Sequence, residues 1–242
     1  MKKSLLIICL FAFISIKANA QGIFHYYTGL FLADTNAAPR HDKFGVDIFY
    51  NSWEDRPEDI KVKPTSIGVN INRLYDIPFG KSNFGIGIGW GFSFHYVRHN
   101  GYFVDDTINF TTNESITRII AYPDTYNYKK NSLSTNYVEV PFEFRIRTRK
   151  KRKEDGSYTK IWRLYPGFKI GYLMNIHTSK KDDLGKFKTY NFYNINKIRY
   201  GATVRIGRGR TNLYGFYSLT QLFKENKGAE LNPFGLGISV LF

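Results

Sequence analysis

The sequence predicts an all-β chain: an eight-stranded antiparallel transmembrane up-and-down β-barrel. Three observations point there: one long stretch of strict alternation, an ordered rhythm of long and short connections, and an export signal paired with a strand-like C-terminus. The stretch is Asn83 to Val97, NFGIGIGWGFSFHYV. Phe84, Ile86, Ile88, Trp90, Phe92, Phe94 and Tyr96 share one parity; Gly85, Gly87, Gly89, Gly91, Ser93 and His95 share the other. A period of two places them on opposite faces of a strand. A soluble strand usually runs about 5–6 residues, whereas one that crosses a bilayer needs about 9–11. Here a bulky apolar face persists over the longer distance, with aromatics near both ends. That pattern suits lipid on one side and small or polar groups on the other.

The N-terminus reads as a secretory signal. Lys2 and Lys3 open it, Leu5 to Ile16 is its apolar region, and Ala18-Asn19-Ala20 is an A-x-A cleavage site. Residues 1–20 are therefore expected to be removed. Cys9, the single cysteine, leaves with them. The mature chain then has no disulfide, thiol nucleophile or Cys-based metal site. The formal charge of +15 falls to 15 − 3 = +12 without Lys2, Lys3 and Lys17. An exported chain this basic is expected to meet anionic lipid or polysaccharide, not nucleic acid.

Residues 21–42 alternate poorly and contain Pro39, so they read as an N-terminal arm or plug. The barrel domain spans 43–242. Its first strand is Phe44 to Trp53, with Val46, Ile48 and Tyr50 opposite Asp47 and Asn51. The second is Thr65 to Leu74, with Ile67, Val69 and Ile71 against Gly68, Asn70 and Asn72. A turn around Asp76 to Gly80 leads into the third, Asn83 to Val97. The segment 98–135 reads as a long irregular loop, a length that usually marks function. The fourth strand, Asn136 to Thr148, alternates Val138, Val140, Phe142, Phe144 and Ile146 with Glu139, Glu143, Arg145 and Arg147. A basic turn follows. The fifth, Ile161 to His177, sets Trp162, Leu164, Phe168, Ile170, Tyr172, Met174 and Ile176 against Arg163, Tyr165, Lys169 and Asn175. The sixth is Ile195 to Gly207, the seventh Thr211 to Gln221, and the eighth Asn232 to Phe242.

The connections alternate long and short: 52–64, 75–82, 98–135, 148–160, 178–193, 207–210 and 222–231. Outer-membrane barrels have short periplasmic turns, longer extracellular loops and even strand numbers. Counting Gly22–Leu32 as a strand would reverse that rhythm, so eight strands are preferred to ten. The chain ends on Phe242 with Val240 and Ile238 on the same parity. Such an ending is expected to serve as the recognition signal for the barrel-assembly machinery.

The runs NYVEVPFEFRIRT (136–148), GFKIGYLMNIHT (167–178) and IRYGATVRIGRGRTNLYGFYSLTQLF (198–223), with the DIPFGKSNF turn and the PFGLGIS ending, resemble the PorT-like outer-membrane β-barrel proteins of Bacteroidetes-type bacteria. The resemblance covers about residues 43–242 and includes no catalytic motif. It implies an integral outer-membrane barrel. The family name derives from a secretion-system component, but most members have no assigned activity, so that role is not carried over.

The inward parity holds Asp47, Glu139, Glu143, Arg145, Arg163, Lys169, Arg199 and Arg205. An eight-stranded interior is just wide enough for side chains, so these charges are expected to pair and fill it. None of the five histidines (His25, His41, His95, His99, His177) has compact ligand spacing, and no metal or other cofactor is expected. Ser93, His95 and His177 compose no convincing catalytic set, with both histidines expected near the outer rim on inward positions. The glycines of the third strand fail the dinucleotide spacing at Trp90 and instead suit close packing. Arg145–Lys153 reads as a solvated or lipid-touching basic turn, and Asp106-Thr107-Ile108 resembles an O-glycosylation site of these bacteria. The expected function is a non-enzymatic outer-membrane scaffold that presents loops, with a PorT-like secretion subunit and then a lipid-directed barrel enzyme as the alternatives. Its expected partners are outer-membrane lipid and lipopolysaccharide, the barrel-assembly machinery, and secretion-system or surface partners.

Overall fold

The structure, a computed structural model, describes residues 42–80, 82–109, 114–148, 161–190 and 192–242. The expected signal peptide, the arm at 21–41 and most of the basic turn (149–160) lie outside these residues.

Strands β1 (Phe44–Glu54), β2 (Ile67–Pro78), β3 (Phe84–Arg98), β6 (Lys130–Arg147), β7 (Trp162–Asp182), β9 (Ile198–Arg208), β10 (Thr211–Ser218) and β11 (Asn232–Leu241) form one antiparallel ring. It closes where β1 pairs β11, from Gly45↔Leu241 to Glu54↔Asn232. Closure leaves no open edge, the condition for putting strands in hydrocarbon. Two shorter pieces stand above the ring. Strands β4 (Gly101–Asn109) and β5 (Glu114–Ala121) form a separate hairpin, and β8 (Gly185–Thr189) folds back on the extension of β7.

Alternation decides which face is which. Along β3 every second residue from Phe84 to Phe94 points out, and Trp90 and Phe94 are half exposed. On β7, Ile170, Tyr172 and Met174 do the same. The other parity is buried and polar. Glycine is required where inward side chains cross the narrow lumen. A Cβ on Gly87 would overlap the Arg145 guanidinium, and one on Gly68 would overlap the Phe49 ring. In the glycine run of β3, Gly87 thus makes room for Arg145, whereas a Cβ on Gly85, Gly89 or Gly91 would crowd β2 itself.

Four expectations need correction. The segment 98–135 is not irregular: it holds the β4–β5 hairpin, and β6 begins at Lys130. Its Asn- and Thr-rich composition hides strands that meet no lipid, so no long apolar face marks them. The loop at 178–193 likewise contains the end of β7 and all of β8. Strand β2 runs on through the expected turn to Pro78, which makes Asp76 an inward strand residue. Finally, a β-bulge interrupts β7. Asn136 pairs with Asn175 but Tyr137 pairs with Leu173, leaving Met174 as the extra residue. A bulge exchanges the faces beyond it. Ile176 therefore packs inward and Asn175 is exposed, the reverse of the simple alternation.

Candidate functional site

The lumen is built upward from its periplasmic floor. Asp42, just ahead of β1, accepts from Arg163 Nη2 at 2.9 Å and from the Tyr165 hydroxyl at 2.8 Å. Arg147 reaches Asp42 at 3.3 Å and donates from Nη1 to Asp76 Oδ2 at 2.7 Å. Arg145 bridges the next level, donating to Asp76 and to Glu143 at 3.0 Å each. Arg205 then joins Glu143 to Asp47, its Nη2 donating to Asp47 Oδ2 at 2.7 Å. Higher still, Glu139 accepts from Lys169 at 2.9 Å and from Arg199 at 2.6 Å.

Each expected interior charge (Asp47, Glu139, Glu143, Arg145, Arg163, Lys169, Arg199, Arg205) is buried and paired; Glu139, Lys169 and Arg199 form an upper group, linked to Asp47 through His95, Ser93 and Asn70. Sequence reasoning missed Asp42, Asp76 and Arg147. Carrying the parity of Asn70, Asn72 and Leu74 onward would have found Asp76, and Arg147 shares the parity of Arg145. Asp42 precedes the strand, and no periodicity marks it. The completed set pairs six cations (Arg145, Arg147, Arg163, Lys169, Arg199, Arg205) with five carboxylates (Asp42, Asp47, Asp76, Glu139, Glu143).

His95 points inward, as its parity requires, and sits above the charges near the outer end of β3. Its Nε2 lies 2.8 Å from both Arg199 Nη2 and the Ser93 hydroxyl, and its Nδ1 is 3.2 Å from Asn51 Oδ1. Since arginine can only donate, Nε2 accepts and Nδ1 carries the proton. Ser93 donates to Asn70 Oδ1 at 2.6 Å. Both residues are buried, so this contact has no access to a substrate. His177 is elsewhere, on the outer wall against Tyr190. His177 thus faces outward, contrary to expectation, and does not join Ser93 and His95 in the set that the sequence suggested. Among the described residues no three His, Cys, Asp or Glu side chains converge as a metal site.

An apolar cap closes the lumen from outside. Trp53, Ile60, Val97, Ile119, Leu133, Tyr137, Leu173, Ile195, Leu222, Phe223 and Leu231 form one buried cluster. They come from strand ends and from all four long connections. The β4–β5 hairpin is tied into it, since Thr117 N donates to Lys227 O and Ala229 N donates to Thr117 O, each at 3.0 Å. Thr107 belongs to β4 and pairs with Ser115; its side chain lies outside the described ones.

His99 lies in this cap, its ring 5.2 Å from Trp53 and 5.6 Å from Phe103. Burial lowers its pKa from 6.5 to about 4. The unfolded chain therefore binds this proton more readily. The stabilising effect of keeping His99 neutral is complete above pH 6.5 and is lost as the pH falls towards 4, about 3 kcal/mol in all. In a variant whose only tryptophan is Trp53, fluorescence is expected to change with a midpoint near pH 4. His99→Gln should abolish the change, and a midpoint at the ordinary histidine value would contradict a buried ring.

A closed antiparallel ring with a greasy outer wall, a charged and filled lumen and unequal ends defines an integral membrane β-barrel. Residues 41–224 match the model of the outer membrane protein beta-barrel domain family, and the chain belongs to that family. No curated protein and no solved structure matches the chain. The protein is accordingly a multi-strand barrel of the outer membrane.

Proposed function

We propose that this barrel is a non-enzymatic scaffold that holds a structured extracellular face in the outer membrane. One observation carries the reading: the lumen is occupied by paired charges and stoppered by apolar side chains drawn from the loops. An interior filled in this way by the described residues argues against a hydrated path or an open ligand position. The cap also makes the loops part of the folded core, so the face they present is rigid. Function carried by loops on a rigid framework is a common arrangement. Phe242, Val240 and Ile238 lie along the outer wall at the closing seam, where Phe242 N donates to Phe44 O at 2.8 Å. In this reading they are the strand that the barrel-assembly machinery reads.

Purified protein in planar bilayers is expected to give no steady single-channel current; resolved current steps would refute a sealed lumen. Partners retained after gentle solubilisation should be lost when residues 101–121 are replaced by a short Gly/Ser linker. A PorT-like secretion subunit is the second reading, favoured by the resemblance of 136–148 and 198–223. It predicts partners that survive the linker but are lost on neutralising the basic turn at 149–153.

A further inference from the structure

We infer that the outer wall carries a built binding site for a phosphate-bearing glycolipid of the outer leaflet, on the extensions of β6 and β7 and on β8. The bulge at Met174 creates it. Beyond the bulge, His177, Ser179 and Lys181 turn outward, and cross-strand pairing sets them into rows.

The lowest row begins with Tyr96, paired to Ser134, which pairs with His177. Above it, Arg98 pairs with Ser132, Ser132 with Ser179, and Ser179 with Lys188. Above that, Lys130 pairs with Lys181, which pairs with Lys186. Like charges directly opposite one another on a sheet face are destabilising. Here three lysines stand side by side. Lys188, Lys130 and Lys186 all act electrostatically on His177, in keeping with the register that sets them on its face. The neighbouring carboxylates are engaged elsewhere: Asp182 pairs with Lys180 at 3.0 Å and Asp183 with Lys129 at 3.1 Å.

A second observation points to a ligand. Arg98 Nε, His177 Nδ1 and Ser179 Oγ are buried and have no hydrogen-bond partner among the described residues. All three belong to the two lower rows of this face, beneath the row of three lysines. Buried polar atoms are normally satisfied, so among the described residues the patch lacks countercharge and leaves these three atoms unpaired. A phosphate group supplies both at once.

The position selects the source of the phosphate. Lys130 Nζ lies 5.0 Å from the centre of the Tyr96 ring, and Tyr96 is the last aromatic of the outward row of β3. Aromatic residues of that kind sit at headgroup level. The patch faces sideways on the same wall as the lipid-facing residues. It lies at the end with the long connections, the extracellular end in such barrels. An occupant lying in the membrane plane reaches it with its acyl chains against the wall below. This inference rests on the outer-membrane placement and is independent of the scaffold reading.

The test is native mass spectrometry of the full protein in detergent, with bis-phosphorylated lipid A and with the same lipid after dephosphorylation. The native protein is expected to retain the phosphorylated lipid and to lose the dephosphorylated one. Lys181→Gln/Lys186→Gln/Lys188→Gln should weaken retention roughly a hundredfold, at about one kilocalorie per lysine. Heat-dependent gel mobility reports whether that variant is folded. Equal retention of the two lipids by the native protein would overturn the inference without reference to any variant. Displacement of bound lipid A by soluble polyphosphate at equal phosphate would overturn the lipid as the source of the phosphate.

Discussion

Glu139→Ala is expected to destabilise the folded barrel by about 3–5 kcal/mol, the cost of leaving buried charge without its partner. Glu139 is the carboxylate that holds both Lys169 and Arg199, at 2.9 and 2.6 Å. Its removal strands two cations at a level where the lumen is packed. Arg199 also lies over the Tyr137 ring at 3.7 Å and donates to His95, so its displacement reaches the underside of the apolar cap. Lys169→Met removes only one charge and leaves Glu139 paired with Arg199; it should cost clearly less. Urea unfolding in lipid vesicles, followed by tryptophan fluorescence and gel mobility, measures both. Equal and small losses from the two variants would mean that the lumen is hydrated and the charges are screened.

Ile170→Arg is expected to cost about 2–4 kcal/mol, the penalty for a cation on the lipid face near the bilayer midplane. Ile170 is 50% exposed, and its cross-strand neighbours on the same face are Val140 and Tyr200. On the water-facing side of a soluble β-sandwich, the same change would be nearly neutral, within about 0.5 kcal/mol. The two possibilities therefore differ in magnitude at a single exposed residue. The same unfolding measurement in vesicles decides between them.

Much of this architecture was legible because lipid imposes a long, strict period of two. The alternation in 83–97 and 136–148 located β3 and the lower part of β6, and the same parity picked out Glu139, Arg145 and Arg205 as inward. The rhythm of connections placed the loops. What failed to show was whatever lacks a lipid face. The β4–β5 hairpin packs against loops, and those of its apolar residues that are buried, Ile119 with Phe103 and Ala121 against it, answer to a cap made from distant segments. Trp53, Ile60, Phe223 and Leu231 belong to that cap and have no shared periodicity. The bulge at Met174 is set by pairing with β6, and nothing in the local pattern of β7 announces it. Asp42 is held by Arg163 and Tyr165, more than a hundred residues away in sequence. Contacts of that kind depend on closure of the ring.

Hydrocarbon covering the outer wall is the central requirement of this fold, and brominated phospholipids test it directly. Trp90 and Trp162 are 50% and 55% exposed on that wall, whereas Trp53 is buried in the cap at 2%. In reconstituted vesicles, acyl-chain bromine is expected to quench single-tryptophan variants retaining Trp90 or Trp162 strongly, and to leave one retaining Trp53 nearly untouched. Equal, weak quenching of all three, with the protein monodisperse in buffer free of detergent, would contradict it.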